Sequence, residues 1–327
     1  MTRVAAVDCG TNTIRLLVAD LTREETGRPR LEPLRRRNEI VRLGQGVDRT
    51  GLLDPAALER TLAVVEDYAA DCAELGVEPG RGARRFVATS ATRDARNRED
   101  FAAGVRSLLG VDPEVVSGQE EAHLSFAGSL LGARGTDDGG APRLVVDLGG
   151  GSTELVLGVD APAAAISLNT GSVRITERYL ADGVTPAAEA AARAEVRGLL
   201  DRAAQAVDLA ATGRLVGLAG TITTVTAHAL GLADFDAEAI DGAELAVGAA
   251  LASCDAIVHS TAAERASWAY LRPGRRDVIA AGALVWSEVI SRVVAETTAA
   301  GRPLAAAVTS LHDILDGIAL SLAVPVP

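Results

Sequence analysis

The chain has 327 residues, 48% hydrophobic and 23% charged, with a formal net charge of −12, which lies in the globular range and allows two ordinary domains rather than one. No apolar run reaches the ~20 residues of a membrane helix, and the shortage of basic charge argues against a general nucleic-acid surface, which works by displacing counterions from phosphates. All 32 basic residues are arginine, so a Walker A lysine, Schiff-base chemistry and pyridoxal phosphate chemistry are excluded together.

The N-terminus enters a strand pattern by Val4, so an unexported, cytoplasmic protein is expected. Cys9, Cys72 and Cys254 show no paired spacing, which fits a reducing compartment. His123, His228, His259 and His312 form no HxH or HxxxH pair, so a metal, if one is used, has to be held by carboxylates and substrate. Arginines are dense at 35–37, at 84, 85, 93, 96 and 98, and at 272, 275 and 276; each cluster is either a solvated face or a site for a polyanion.

In chain order, Val4–Val7 ends at Asp8, a polar turn runs over Cys9-Gly10-Thr11-Asn12-Thr13, and Ile14–Ala19 resumes with β-type residues, which reads as strand, tight turn, strand. Arg35–Leu43 is a further predicted strand. Asp54-Pro55 caps a helix to about Leu75 with an apolar face at Leu58, Leu62, Val65 and Ala69. Arg85–Thr89 is a short strand, Asn97–Leu109 a helix and Pro113–Val116 a strand; a helix from about Ser117 carries Glu120 and Glu121. The Gly- and Asp-rich Gly132–Pro142 reads as a mobile surface loop.

Beyond it the opening pattern returns, with Leu144–Val146, then Asp147, then Leu148-Gly149-Gly150-Gly151-Ser152-Thr153, then Glu154–Val159. Aligning Asp8 with Asp147 matches Gly10 to Gly149 and sets Arg15 opposite Glu154, so the strand-turn-strand unit is duplicated. Ala164–Leu168 is a strand, Pro186–Ala211 a helical stretch, and Leu215–Thr221 a third strand-to-glycine turn. Helices then dominate to Glu296, Leu304–Val308 is a strand, and His312–Leu322 is a closing amphipathic helix.

The two glycine turns join strand to strand, whereas a Rossmann loop opens a helix. Each starts from an aspartate at a strand end and continues in small residues that leave backbone N–H groups open to an anion. Two such turns facing one another across a cleft would clamp phosphates, with Asp147 and Glu154 placed to hold a divalent cation.

With these residues in view, the motif series Asp8-Cys-Gly-Thr-Asn-Thr-Ile-Arg, Ala88-Thr-Ser-Ala-Thr-Arg-Asp, Ser117-Gly-Gln-Glu-Glu-Ala, Asp147-Leu-Gly-Gly-Gly-Ser-Thr-Glu, Gly217-Leu-Ala-Gly-Thr and Pro273-Gly-Arg-Arg-Asp-Val-Ile resembles that of the exopolyphosphatase and guanosine pentaphosphate phosphohydrolase (Ppx/GppA) family. The motifs run in family order from residue 8 to about 317. The resemblance implies an α/β fold of two actin-like, sugar-kinase-like (ribonuclease H-like) lobes with an interdomain cleft. The N-terminal lobe is expected over 1–123 plus 311–327, closed by the C-terminal helix, and the C-terminal lobe over 124–310.

It implies removal of the terminal phosphate from polyphosphate or from pppGpp, as in the stringent response, with water and Mg²⁺ or Mn²⁺. Glu121 would be the general base and Arg93 would offset charge on the transferring phosphoryl group. Gly10, Thr11, Asn12, Thr13, Gly149, Gly150, Gly151 and Ser152 would cradle phosphates, and Asp147 and Glu154 would serve the metal. The physics agrees, because phosphoryl transfer asks mainly for positioning and electrostatic stabilisation.

The sequence departs from the family pattern at Gly274-Arg275-Arg276-Asp277, where Arg276 replaces a small residue, and at Ser310–Gly317. It ends at residue 327 without the extra helical domains of long members, from which a preference for short chains or a nucleotide is expected. A homodimer stays open. So do two other readings, a kinase of the same superfamily and a non-catalytic sensor of polyphosphate or an alarmone.

Overall fold

A computed structural model describes residues 2–23, 29–132 and 140–323. Most of the Gly132–Pro142 loop read from sequence, namely 133–139, lies outside the described residues. The chain divides into two compact units, Met1–Gly128 with Ile314–Pro327, and Ser129–Asp313.

The first unit is built on strands β1 (Thr2–Cys9), β2 (Thr13–Arg23), β3 (Pro29–Ile40), β4 (Arg84–Ala88) and β5 (Glu114–Val115), ordered β3-β2-β1-β4-β5. β1 to β3 are antiparallel, while β4 and β5 run parallel to β1. β1 is almost uniformly apolar because both sheet faces are covered. Ala5, Val7 and Cys9 face one core with helices Pro55–Glu74 and Arg98–Leu109, and Ala6 faces another with helices Gly118–Ser129 and Ile314–Ser321. On the latter face Gly317 lies against the Leu124 carbonyl, where a Cβ would come within 1.9 Å of the oxygen, so glycine is required for the helix carrying Glu121 to pack this closely.

Asp54 caps its helix as expected, accepting from the amides of Ala56 and Ala57. The buried face differs from the expected one: it runs through Ala57, Thr61, Val65, Tyr68 and Cys72, and Leu58, Leu62 and Ala69 only flank it. Tyr68 accounts for the rotation, since its ring fills the core and its hydroxyl donates to the Ile14 carbonyl at 3.0 Å. β3 starts earlier than its apolar pattern shows, because it is an edge strand whose outward side is arginine-rich. The short helix Ser90–Asp94 was not visible as a pattern.

The second unit repeats the plan with β6 (Arg143–Leu148), β7 (Thr153–Gly158), β8 (Pro162–Leu168), β9 (Arg214–Leu218), β10 (Glu244–Ala246) and β11 (Ala306–Thr309), ordered β10-β11-β9-β6-β7-β8. Read outward from β6, the order β8-β7-β6-β9-β11 matches β3-β2-β1-β4-β5 in direction as well as position, the ribonuclease H-like order expected of an actin-like lobe. β10 falls within the segment expected to be helical, and it adds an antiparallel edge. The core is centred on helix Ile279–Ala299, whose residues from Ile279 to Ile290 are all buried.

Candidate active site

In the first unit the turn between β1 and β2 is closed by the Gly10 amide donating to the Thr13 carbonyl at 2.9 Å. A segment after β3 then laces onto it. The amides of Val41 and Arg42 donate to the Asn12 carbonyl and the Gly44 amide donates to the Thr11 carbonyl at 2.8 Å. A trans peptide sets its N–H opposite its C=O, so drawing the Thr11 carbonyl outward turns the Asn12 amide the other way. Among the described residues no protein acceptor takes the N–H of Thr11 or Asn12. Arg42 holds a left-handed backbone at φ 52° to make this contact, a conformation that costs a non-glycine residue about 1–2 kcal/mol.

The turn between β6 and β7 repeats the closure, with the Gly149 amide on the Ser152 carbonyl at 3.0 Å, but its carbonyls are drawn out by a different element. Gly171–Arg174 crosses outside it. Ser172 N–H donates to Gly149, Val173 and Arg174 N–H donate to Gly150, and Arg174 Nε donates to Gly151 at 2.9 Å. Three successive carbonyls point outward, so the amides of Gly150, Gly151 and Ser152 point inward, and none has a protein acceptor among the described residues. Amides arranged this way form an anion-binding nest.

Each turn also carries one cross-strand pair at the same register position. In the first unit it is Asp8 opposite Arg15, an ion pair with Arg15 Nη2 at 2.6 Å and Nε at 2.9 Å from Asp8 Oδ2. In the second unit it is Asp147 opposite Glu154, two carboxylates that are 7% and 1% exposed. Glu154 Oε1 accepts from the Ser167 hydroxyl at 2.7 Å.

Glu121 sits in the first turn of its helix, 6% exposed. Arg93 Nη1 donates both to Glu121 Oε2 at 3.1 Å and to the Val116 carbonyl at 3.0 Å, which ties the carboxylate to the segment just after β5. The adjacent Glu120 points to solvent and pairs with Arg85 at 2.8 Å. The arginine clusters resolve accordingly. Arg35 and Arg37 pair with Asp71 on a solvated face, Arg84 is buried on the carbonyls of Leu109 and Val77, and Arg93 reaches Glu121. Arg276 donates to the Ala266 carbonyl, while Arg275 packs its guanidinium over Gly220.

The third motif differs from the first two. β9 leads into helix Ala219–Ala229 through Ala219 in a left-handed conformation at φ 72°. Among the described residues no group of three or more His, Cys, Asp or Glu could hold a metal. Asp147 and Glu154 nevertheless suit Mg²⁺, which dehydrates reluctantly and is usually bound by one or two carboxylates with waters and substrate phosphates completing the shell. They lie directly opposite across the strands, where two ionised acids would repel and a bound divalent cation would offset that repulsion.

The model of the Ppx/GppA phosphatase family matches residues 21–299. This chain belongs to that family. Among curated proteins it is 44% identical to Exopolyphosphatase 2 of Mycobacterium tuberculosis, covering 99% of both chains. Among solved structures it resembles an exopolyphosphatase-like protein at a TM-score of 0.90 and 43% identity, covering 98% of this chain and 97% of that one. A Ppx/GppA family member of Aquifex aeolicus follows at a TM-score of 0.75 and 25% identity, with 98% and 97% covered.

For this Ppx/GppA chain, the structure brings Thr11, Arg93 and Glu121 into one unit, and Gly149–Ser152, Asp147 and Glu154 into the other. Sequence reasoning missed the two clamps, residues 41–44 and 171–174. Nothing in their composition marks them, and Arg174 is identified only by its contact with Gly151. No helix among the described residues is long and apolar enough to cross a membrane.

Proposed function

We propose that this Ppx/GppA chain is an exopolyphosphatase that hydrolyses the terminal phosphoanhydride of inorganic polyphosphate, with pppGpp conversion to ppGpp as the same chemistry on a second substrate. The observation that carries the reading is the pair of turns whose outward carbonyls leave inward amides suited to phosphate oxygens. Full-length similarity to Exopolyphosphatase 2 supports it.

Under this reading the amides of Thr11–Asn12 and Gly150–Ser152 bind phosphate oxygens. Glu121 accepts the proton of a water whose oxygen bonds to the terminal phosphorus. The bridging P–O bond breaks, and its electrons leave on the oxygen of the shortened chain. Arg93 holds the Glu121 carboxylate and presents its remaining N–H groups to the phosphoryl charge. Asp147 and Glu154 would hold Mg²⁺ or Mn²⁺, which supplies charge neutralisation at the phosphates when bound.

Phosphate release from polyphosphate of several lengths, pppGpp and ATP, measured with and without chelator, tests the substrate and the cation. Release from polyphosphate should stop in chelator and return with Mg²⁺ or Mn²⁺. A phosphorylated acceptor without net phosphate release would establish a kinase, and tight binding without turnover would establish a sensor. Glu121→Gln should lower kcat by ~10²- to 10⁴-fold with KM little changed, while Glu120→Gln, on the solvated side, should stay within about twofold. Equal effects of the two substitutions would remove Glu121 from the mechanism.

A further inference from the structure

Helix Ser90–Asp94 contacts both halves of the chemistry assigned to the first unit. At its start, the Ser90 hydroxyl lies 2.8 Å from the Thr11 hydroxyl, in a pair that is 2% and 7% exposed. One helical turn later, Arg93 reaches Glu121 and the Val116 carbonyl. The helix is itself fixed to the strand ends, because Thr89 N–H donates to the Cys9 carbonyl at 3.1 Å and Val116 N–H donates to the Ala88 carbonyl at 3.1 Å. Gly44 wedges in on the same side; a Cβ there would meet Thr11 Cγ2 at 2.4 Å and Ala91 Cβ at 2.8 Å. Thr11 is therefore gripped through its backbone by Gly44 and through its side chain by Ser90.

Burial sharpens the point, since a hydroxyl removed from water costs about 1–3 kcal/mol unless it is hydrogen-bonded. Ser90 and Thr11 share one such bond, with either hydroxyl able to donate it. Thr92, on the same helix and 1% exposed, has a hydroxyl with no hydrogen-bond partner among the described residues. The helix thus carries two buried hydroxyls, of which one makes a contact to the glycine turn and the other makes none.

We infer that Ser90 is a positioning residue for phosphate hydrolysis. It sets the first phosphate turn, through Thr11, at a fixed distance from the general base, which the same helix sets through Arg93. This rests on the assignment of Glu121 as base. A misplacement of about 1 Å between reacting groups can cost ~10²-fold in rate. One lost hydroxyl contact relaxes the turn by less than that, so the expected loss for Ser90→Ala is roughly tenfold in kcat, with KM within about twofold because the turn's amides remain.

Steady-state kinetics on polyphosphate with wild type, Ser90→Ala, Thr92→Val, Glu121→Gln and the Ser90→Ala/Glu121→Gln double variant test this, with urea unfolding on each. Thr92→Val removes a buried hydroxyl that has no hydrogen-bond partner among the described residues and should leave kcat within about twofold. With the base already gone its alignment no longer matters, so the double variant should be no more than about twofold slower than Glu121→Gln. The inference is overturned if Ser90→Ala keeps wild-type kcat, if Thr92→Val loses as much, or if the double variant shows the full product of both losses. If Glu121→Gln itself is fully active, the assignment of the base has failed instead.

Discussion

The two glycine turns are copies of one device that have been put to different electrostatic uses. Both start from an aspartate at a strand end, both close with a glycine amide on a carbonyl three residues on, and both have their carbonyls drawn outward. In the first, the cross-strand partner of the aspartate is Arg15, and the carboxylate is neutralised within the protein. In the second, the partner is Glu154, and two buried acids share the position. A duplicated backbone can therefore be kept while the cross-strand partner of the aspartate changes from an arginine to a second acid. The clamps diverge too: a left-handed arginine loop serves one turn, and the start of a helical segment serves the other.

The largest expected effect comes from making the second turn like the first. Glu154→Arg supplies the ion pair that Asp8 has, so phosphate release should fall about 10³-fold, the scale of losing a preorganised electrostatic element, and should stop responding to added Mg²⁺. Activity that survives with its cation dependence intact would show that the acid pair is not the metal position.

Next come the clamps. Gly171→Ala would bring a Cβ to 2.6 Å from the Gly150 oxygen and 2.7 Å from the Gly149 oxygen, both backbone atoms that cannot yield without moving the turn. Gly44→Ala meets side-chain carbons of Thr11 and Ala91 first. We expect about 3 kcal/mol of destabilisation for the former and about 1 kcal/mol for the latter, read as shifts of the urea midpoint. The reverse order would mean that the first turn is the more rigid.

Arg15→Ala tests the self-neutral turn from the other side. It leaves the 4%-exposed Asp8 without that partner and should cost about 2 kcal/mol, less than a fully buried pair because the arginine keeps some exposure. A stability unchanged by this substitution would remove the contrast with Glu154.

The smallest effect lies away from both turns and calibrates any pH series. His259 is raised above the ordinary histidine value, first by its hydrogen bond to the Asp255 carbonyl and then by Glu189 at 3.1 Å. Its contribution is present below about pH 6.5 and is lost as pH rises through the raised value. The side chain is 51% exposed, so the amount is about 0.3 kcal/mol, and His259→Gln should remove it only on the acid side. An acid-side pH dependence unchanged by this substitution would remove His259 as its source.

The sequence by itself determined the duplication, because aspartate, glycine and β-type residues recur at fixed offsets and a strand-turn-strand unit needs little beyond local geometry. It also determined the cap at Asp54 and the strand ends at Asp8 and Asp147, which depend on neighbours a few residues away. It marked Glu121 through its motif, but nothing local separated it from Glu120. Its burial and the reach of Arg93 across 28 residues did that. Tertiary structure alone decided that Tyr68 would rotate the face of its helix, that residues 41–44 and 171–174 would hold the turns, and that Ser90 would meet Thr11. Each of these is a contact between segments far apart in the chain, made through backbone groups or small hydroxyls that leave no periodicity to read. Periodicity reports which face of an element is buried, whereas the partner of a carbonyl or a hydroxyl is set by where the sheet order brings distant segments together.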